Sequence, residues 1–429
     1  MNPYSVYFRG SFVIFYSMKV FDIAIIGGGA AGLFAAAQLA KLNSENNTAL
    51  NVVVLEKMER CGRKIAITGK GRCNITNMKP WEEFLHYIHP KSSFFKNAFY
   101  WMSNVSTIDF FNSIGLPTVI ERGDRAFPES MKAMDVTDAL VRYSISNGVK
   151  INTDFCVDNV KEKEGVYSIL SSDGAIIEAK AVIVATGGMS YPSTGSTGDG
   201  YEFAKLFGHK ITHCFPSLTA LKPFGYSESF WGISLKNVSV SLIVGGNVVQ
   251  EEFGDLDFTN GGIEGPIGFK VSRKAVHALV NGEKVELILD MKPAISVEQL
   301  KDRVNKEIVA CNSRNLNVIL RKLLPARLIP VFKDCNADLQ ISNLPEKLKN
   351  WKFKIVGNVG YERCVVTAGG VSLAEVSQKS MESKLKDSLY FAGEVLDLDA
   401  DTGGFNLQVA FSTGALAAYS AYKKIISTK

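Results

Sequence analysis

The stretch "DIAIIGGGAAGLFAAAQL", Asp22 to Leu39, constrains the fold more than any other part of the chain. Asp22 is followed by Ile23 to Ile26, an apolar run that suits a strand buried on both faces in a parallel sheet. Gly27-x-Gly29-x-x-Gly32 then meets the dinucleotide-binding spacing. The first glycine makes the turn, the second lets the backbone approach a pyrophosphate, and the third lets a helix pack close to the strand. Ala30 and Ala31 open that helix, whose free N–H groups and positive dipole end suit a phosphate. The spacing alone is weak. Here a strand hands over to a helix, and Asn51 to Leu55 reads as the next strand, ending in Glu56 and Lys57. An acid at that distance accepts hydrogen bonds from an adenosine ribose.

At 429 residues the chain exceeds what one core holds, so two or three domains are expected. The net charge of +5 is spread without a dense basic run, which gives no reason to infer nucleic-acid binding from charge alone. Seven scattered cysteines, an odd number, argue against a disulfide framework and for a reducing cytoplasm. "SVYFRGSFVIFYS" near the start is apolar and aromatic, yet Arg9 interrupts it and no small-residue cleavage site follows. It is too short to span a bilayer, and no other stretch reads as a membrane span. Met18 stands just before the first strand, so residues 1–17 are expected to be an extension outside the native protein.

Farther along, "KMERCGRKIAITGKGRCNITN" reads as an ordered loop anchored by Ile65, Ile67 and Ile75. Residues 81–118 carry Trp, Phe and Tyr at helical spacings and are expected to pack helices over the core. An amphipathic helix stopped by Asn147-Gly148 runs into a strand, and two short strands follow near 154–161 and 167–171. Ala181 to Ala185 reads as a buried strand ending in Thr186-Gly187-Gly188. From 211 to 292 the pattern alternates as in strands, and from 297 to 348 it is helical, with the basic stretch 321–327 as an exposed helix face. Short strands and a helix from Phe405 to about Lys424 close the chain. The expected class is α/β: a nucleotide-binding domain from 18–193 and 346–429, interrupted by an insert at 194–345. That insert has a β-rich part and a helical part and is expected to help form the substrate pocket.

Only one GxGxxG is present, whereas separate folds for FAD and NAD(P)H would show two. The single site is therefore assigned to a tightly bound cofactor, and two distant segments favour FAD. "VIVATGG" returns the chain to the cofactor and places Ala185, Thr186 and Gly187 beside it. In "LYFAGEVLDLDADTGGFNLQVAFSTGALAA" a strand ends at Ala392-Gly393-Glu394, an acidic loop with Asp397 follows, and Gly403-Gly404 opens a helix. The strand-end acid suits ribityl hydroxyls. The helix start suits the flavin N1–C2=O edge, where reduced flavin carries negative charge.

The stretches "DIAIIGGGAAGLFAA", "GRKIAITGKGRCNITN", "VIVATGGMSYPSTGSTGDGY", "VTAGGVSLAEV" and "MESKLKDSLYFAGEVLDLDADTGGFNLQVAFSTG" cover nearly all of the proposed cofactor domain. In them the chain resembles the aminoacetone oxidase family of FAD-binding proteins, a bacterial group in which some members carry the name 3-dehydro-bile-acid reductase. The resemblance implies a Rossmann-like FAD-binding domain of the glutathione-reductase type, interrupted by a family-specific insert. It implies Gly27, Gly29 and Gly32 at the pyrophosphate and Glu56 at the ribose. It also implies Lys64, Thr68, Arg72, Cys73 and Asn74 along the flavin, with Gly393, Glu394, Gly404, Asn406 and Leu407 closing the other side; Gly71 is a further candidate for the cofactor site. One segment departs: the family usually has "FTHxGxSGP" where this chain reads "FTNGGIEGP", so Asn260 and Glu264 stand in place of His and Ser. If that segment helps form the substrate pocket, no named member's substrate carries over.

The function read from these residues is a flavin-dependent oxidoreductase, in which hydride passes between flavin N5 and a small or planar organic substrate. NAD(P)H binding transiently, or O2, would complete the redox cycle, and the sequence leaves both open. Arg63, Lys64, Lys70 and Arg72 are assigned to phosphate or the flavin edge. Three residues are candidates for chemistry: Cys73 as a thiol activated by Arg72, Arg72 itself, and Tyr191 as a proton donor. The favoured reading of Cys61 and Cys73 is packing. No histidine has metal-ligand spacing, and no metal or membrane is expected. The alternative is an FAD-dependent RNA-modifying protein, which heparin retention with a steep salt dependence would favour.

Overall fold

The computed structural model describes residues 20–428, and the extension expected at 1–17 lies outside them. The apolar run after Asp22 is the strand Phe21–Ile26, with Ile23, Ala24 and Ile25 sealed from solvent. It lies parallel between Val52–Leu55 and Ile176–Val184 in a seven-stranded sheet, which Lys150–Asn152 extends beyond Val52–Leu55. Ile176–Val184 is long enough to serve two partners. Ile176–Ala179 pairs antiparallel with the meander strand Val166–Ser171, and Val182–Val184 pairs parallel with Leu389–Phe391. Ile26, Val184 and Phe391 thus fall in register at the ends of three parallel strands. Open α/β sheets bind ligands outside such carboxyl ends.

Two helices cover this edge because small residues let them approach. A Cβ on Gly32 would lie 1.9 Å from the Gly27 carbonyl oxygen, and one on Gly414 would lie 2.5 Å from that of Ala31. The fingerprint helix Ala30–Glu45 is thereby pressed onto the first strand and onto the closing helix Phe405–Thr428. The aromatic residues of 81–118 do form helices, Ser92–Trp101 and Asn104–Ser113. Phe84, Phe95 and Phe99 form a buried aromatic group, and Phe84 meets Phe405 edge-on. The Tyr87 ring stacks on Phe405 at 4.2 Å. Burying such rings stabilises by about 1.5–3 kcal/mol each. Here it also fixes the first residue of the closing helix.

The insert contains a closed six-stranded barrel, in the order Leu221–Pro223, Gly262–Glu264, Asn247–Thr259, Ile233–Val244, Val285–Asp290, Trp351–Asn358. Its core is aromatic, with Phe230, Phe258, Trp351 and Phe353 buried together. The last strand lies past residue 345 and closes the barrel against both Val285–Leu289 and Leu221–Pro223. The stretch 211–292, read as strands throughout, also holds the helix Gly265–Val280. The reason is visible in its buried residues: Ile267, Val271 and Ala275 recur every fourth position, and Pro266 suits a first turn. Four shorter helices from Val297 to Lys349 follow, with Arg321, Lys322 and Arg327 exposed. The chain enters and leaves the barrel through an antiparallel pair, Ile211–Ser217 with Val366–Val371.

Candidate active site

A cavity of about 180 Å³ lies along the strand ends, lined by the glycine turn, by Glu56 and Lys64, and by Val365 and Val366 of the segment that leaves the barrel. Gly27 has φ +103°, and a Cβ there would meet the Ala185 carbonyl oxygen at 2.5 Å, so only glycine turns the chain here. Gly29 differs: its φ of −82° suits any residue, and a Cβ on it would meet no atom within 4 Å. The space in front of Gly29 belongs to the cavity. No side chain caps the fingerprint helix, and its first internal bond is Leu33 N to Gly29 O, so the earlier N–H groups stay free. The closing helix starts the same way, with Gln408 N to Gly404 O, and its Asn406 and Leu407 line the cavity. Two helix amino termini therefore face one cavity, which favours negative charge.

Glu56 is buried in the wall, its Oε2 accepting from Gly28 N at 2.7 Å and its Oε1 from Met58 N at 2.9 Å. A carboxylate oxygen accepts more than one bond, which leaves capacity for ribose hydroxyls. Burial pushes this carboxyl above its ordinary value, against the Met58 and Gly28 N–H groups and the charges of Lys57 and Arg63. Lys57 reaches Asp199 at 2.6 Å. At the barrel end, Lys64 Nζ donates to Glu394 Oε2 at 2.9 Å and to Ser190 Oγ at 2.8 Å. Ser190 Oγ and Thr367 N both donate to Glu394 Oε1. Burial raises the Glu394 carboxyl, but Lys64, Ser190 and Thr367 outweigh it and hold it below the usual range.

Fifteen of the residues expected at the cofactor line this one cavity: Gly27, Gly29, Ala30, Ala31, Glu56, Lys57, Lys64, Thr68, Ala185, Thr186, Gly187, Gly393, Glu394, Asn406 and Leu407. Gly32 is spent on helix packing. Gly71, Arg72, Cys73 and Asn74 do not line it and lie in a turn where Gly69, Lys70, Gly71 and Cys73 all have positive φ; Gly403 and Gly404 do not line it either. Asn74 Oδ1 is buried there without a partner among the described residues, close to Gly404. Asp397 faces a different cavity. Ile65 and Ile75 anchor the loop as expected, whereas Ile67 is exposed because it ends the short helix Arg63–Ile67.

The activated thiol is corrected. Cys73 is fully buried, and burial pushes it up to about 12, although the Thr68 hydroxyl lowers it. Arg72 does not lower it, because its guanidinium turns to Glu121 at 3.1 Å and lies over the Phe127 ring. Tyr191 is outside the cavity wall, and burial raises its hydroxyl, with Cys364, Arg363 and Glu264 nearby. Asn260 accepts from Arg363 at 2.8 Å, so the departing segment meets the chain just after the barrel. Wall residues that the sequence reading missed include Phe155, Ser196, Phe203, Leu398 and Ala410. Ser196 sat in a visible turn-rich run, while the others are apolar and carry no local signal.

These features fit FAD: an open face at the second glycine, a buried carboxylate at the ribose position, and a second helix start at the far end. The chain matches the family model described as HI0933-like protein Rossmann domain over residues 21–420. It is 31% identical over 417 residues to the 3-dehydro-bile acid delta(4,6)-reductase of Clostridium scindens, covering 94% of this chain and 99% of the relative. It is 31% identical over 410 residues to the ribosomal RNA dihydrouridine synthase of Haemophilus influenzae, covering 92% and 97%. Among solved structures, the 3-ketosteroid-delta4-(5alpha)-dehydrogenase of Rhodococcus jostii RHA1 aligns with a TM-score of 0.51 at 12% identity, covering 95% and 98%. The 3-ketosteroid delta1-dehydrogenase of Sterolibacterium denitrificans aligns at 0.50 and 12%, covering 96% and 100%. At that identity the two structures establish a shared fold. Among the described residues no helix is long and apolar enough to cross a membrane.

Proposed function

We propose that this chain, which belongs to the HI0933-like Rossmann-domain family and is an FAD-dependent oxidoreductase, reduces a carbon–carbon double bond conjugated to a carbonyl in a planar organic substrate. The observation that carries this reading is the lining of the cavity: Val365 and Val366, on the segment that leaves the barrel, form an apolar part of a wall that also holds Lys64 and Glu394. A planar apolar substrate would lie against those side chains. The relatives' names favour the chemistry, since a delta(4,6)-reductase and a dihydrouridine synthase both saturate a double bond conjugated to a carbonyl.

FAD, when bound, supplies the hydride at N5. The chain's residues bind, orient and balance charge. The free N–H groups before Leu33 would hold pyrophosphate and Glu56 would hold the ribose. The start of the closing helix would offset negative charge on the flavin. Saturating the double bond places hydride on the carbon β to the carbonyl and a proton on the α carbon. Lys64 Nζ is a hydrogen-bond donor in the same wall, held by Glu394 and Ser190. Its charge also polarises a substrate carbonyl toward accepting hydride.

A second reading follows from the Haemophilus relative: the double bond could be that of a uridine in ribosomal RNA. A third follows from the resemblance to aminoacetone oxidases, in which an amine reduces the flavin and O2 reoxidises it. One anaerobic stopped-flow series separates the three. FAD-loaded protein is mixed with NADH, NADPH or an amine, and the reduced protein is then mixed with 4-androstene-3,17-dione or with unmodified ribosomal RNA. Bleaching by a pyridine nucleotide and recolouring by the enone support the first reading. Recolouring by RNA alone supports the second, and bleaching by the amine supports the third.

A further inference from the structure

A second, open cavity, of about 340 Å³, lies between the barrel helix Gly265–Val280 and the strand Ile211–Ser217 that leads into the barrel. It shares no lining residue with the cofactor cavity. One part is apolar, formed by Phe215, Val244, Val249 and Ala278. The other carries His213, Arg273, Lys274 and His277. Arg273 is spent on the fully buried Asp399, which it grips at 2.8 and 3.0 Å, and its guanidinium lies over the Phe215 ring. The others are less committed. Lys274 makes one long bond to the Val249 carbonyl at 3.3 Å, and the His277 ring packs against Phe215 and reaches Asn281 at only 3.4 Å. His213 has no side-chain partner among the described residues.

Two acids, Asp397 and Glu283, also line the cavity. Asp397 sits at the buried end, where burial and the neighbouring Asp399 raise its carboxyl against a Thr212 hydrogen bond and Arg273. A carboxyl held in that way carries its negative charge reluctantly. Glu283 is the other acid in the lining, on the turn after the helix. An apolar floor beside a weakly held lysine amine and two imidazoles suits a ligand with an apolar body and an anionic head. An isolated cation pocket would suit a bare inorganic ion, and a purely apolar groove a neutral body; this cavity joins both characters.

We infer that this cavity is a second binding site, for a small amphipathic organic anion whose head is a carboxylate or a phosphate. Lys274 and the two histidines take the head, and Phe215 with Val244 and Val249 takes the body. The ligand is separate from the reacting substrate, because the strand Val366–Val371 stands between the two cavities. Thr367 of that strand bonds Glu394 of the first cavity, and Gly369 lines the second.

The test is isothermal titration of the FAD-loaded protein with 2-naphthoate, 2-naphthyl phosphate and the neutral 2-naphthalenemethanol. Lys274→Glu and His277→Ala are run in parallel; both side chains are exposed and outside the cofactor cavity. Saturable binding of an anion, at least tenfold weaker for the alcohol and for either variant, is the expected result, and the tighter of the two anions identifies the head group. Absence of saturable binding to millimolar concentration overturns the inference. So does anion binding that both variants leave unchanged, since the anion would then sit elsewhere. The readout needs no turnover, so it is independent of the substrate proposed above.

Discussion

Lys64 Nζ and Glu394 Oε2 lie 2.9 Å apart although 330 positions separate them in the chain. The pair joins the loop after the second strand to the segment after Leu389–Phe391, at the end of the cavity nearest the barrel. Ser190 and Thr367 complete the contact, so four separate segments meet on one carboxylate.

Replacing Lys64 by Met leaves that carboxylate without its counter-charge. Removing one partner of a buried pair costs about 3–5 kcal/mol, and the partial exposure here reduces this to about 1–2. The sign of the pH dependence follows from the carboxyl. In the parent its pKa lies below 4.5, so its contribution is present above that value and lost as pH falls through the lower folded-state pKa. In K64M the carboxyl loses the lowering effect of Lys64 while burial still raises it, so less of that contribution remains at neutral pH. The gap in Tm between the two proteins is therefore wider near pH 7.5 than near pH 4. A gap that does not change with pH would show that Glu394 does not depend on Lys64.

Gly27 and Gly29 separate folding from binding. Gly29→Ala adds a Cβ that meets no protein atom within 4 Å, so the apo protein keeps its stability to within about 0.5 kcal/mol while FAD affinity falls at least about a hundredfold. Gly27→Ala meets the Ala185 carbonyl at a positive φ and destabilises the apo protein itself, by more than about 1 kcal/mol. Thermal melts and flavin fluorescence titration of the two variants check this. Equal loss of stability in both would remove the assignment of Gly29 to the ligand's space.

Glu56→Ala removes the acceptor for the Gly28 and Met58 N–H groups as well as for the ribose, and Glu56→Gln keeps part of both. The expected order of FAD retention after gel filtration is parent, then Gln, then Ala, with the Ala variant at least about tenfold weaker. An Ala variant that purifies with its full complement of flavin would remove Glu56 from the ribose.

The thiols give a chemical check. Burial, with Glu56 adding to it for Cys61, pushes Cys61 and Cys73 up to about 12, so neither is a thiolate at pH 8. Brief iodoacetamide treatment of the native protein should label the exposed Cys156 and Cys335 and spare these two. Cys73→Ala should keep its rate of flavin reduction within about twofold, the outcome for a packing side chain. Labelling of Cys73 in the folded protein would restore it as a candidate for chemistry.

Much of the cofactor end was legible in the sequence because it is built from local backbone requirements. Gly27 is needed for a positive φ, Gly32 for contact with the first strand, and two helix starts follow glycine turns. Each is a demand on residues a few positions apart, and such demands survive in the linear order. The run from Arg63 to Asn74 shows the limit. Its composition marked an ordered, cationic loop, but only the three-dimensional path turned Lys64 into the cavity and Arg72 toward Glu121.

By itself, then, the sequence determined a dinucleotide fold, a single fingerprint, and a second helix start suited to a flavin, since those follow from glycine spacing and strand–helix alternation. Only the tertiary structure decided which charges meet, that the insert closes as a barrel, and that Asp397 faces away from the cofactor cavity. The physical reason is range. Backbone conformation is set by neighbours in sequence, whereas ion pairing, burial and the walls of a cavity depend on segments brought together across hundreds of residues, as Lys64 and Glu394 are.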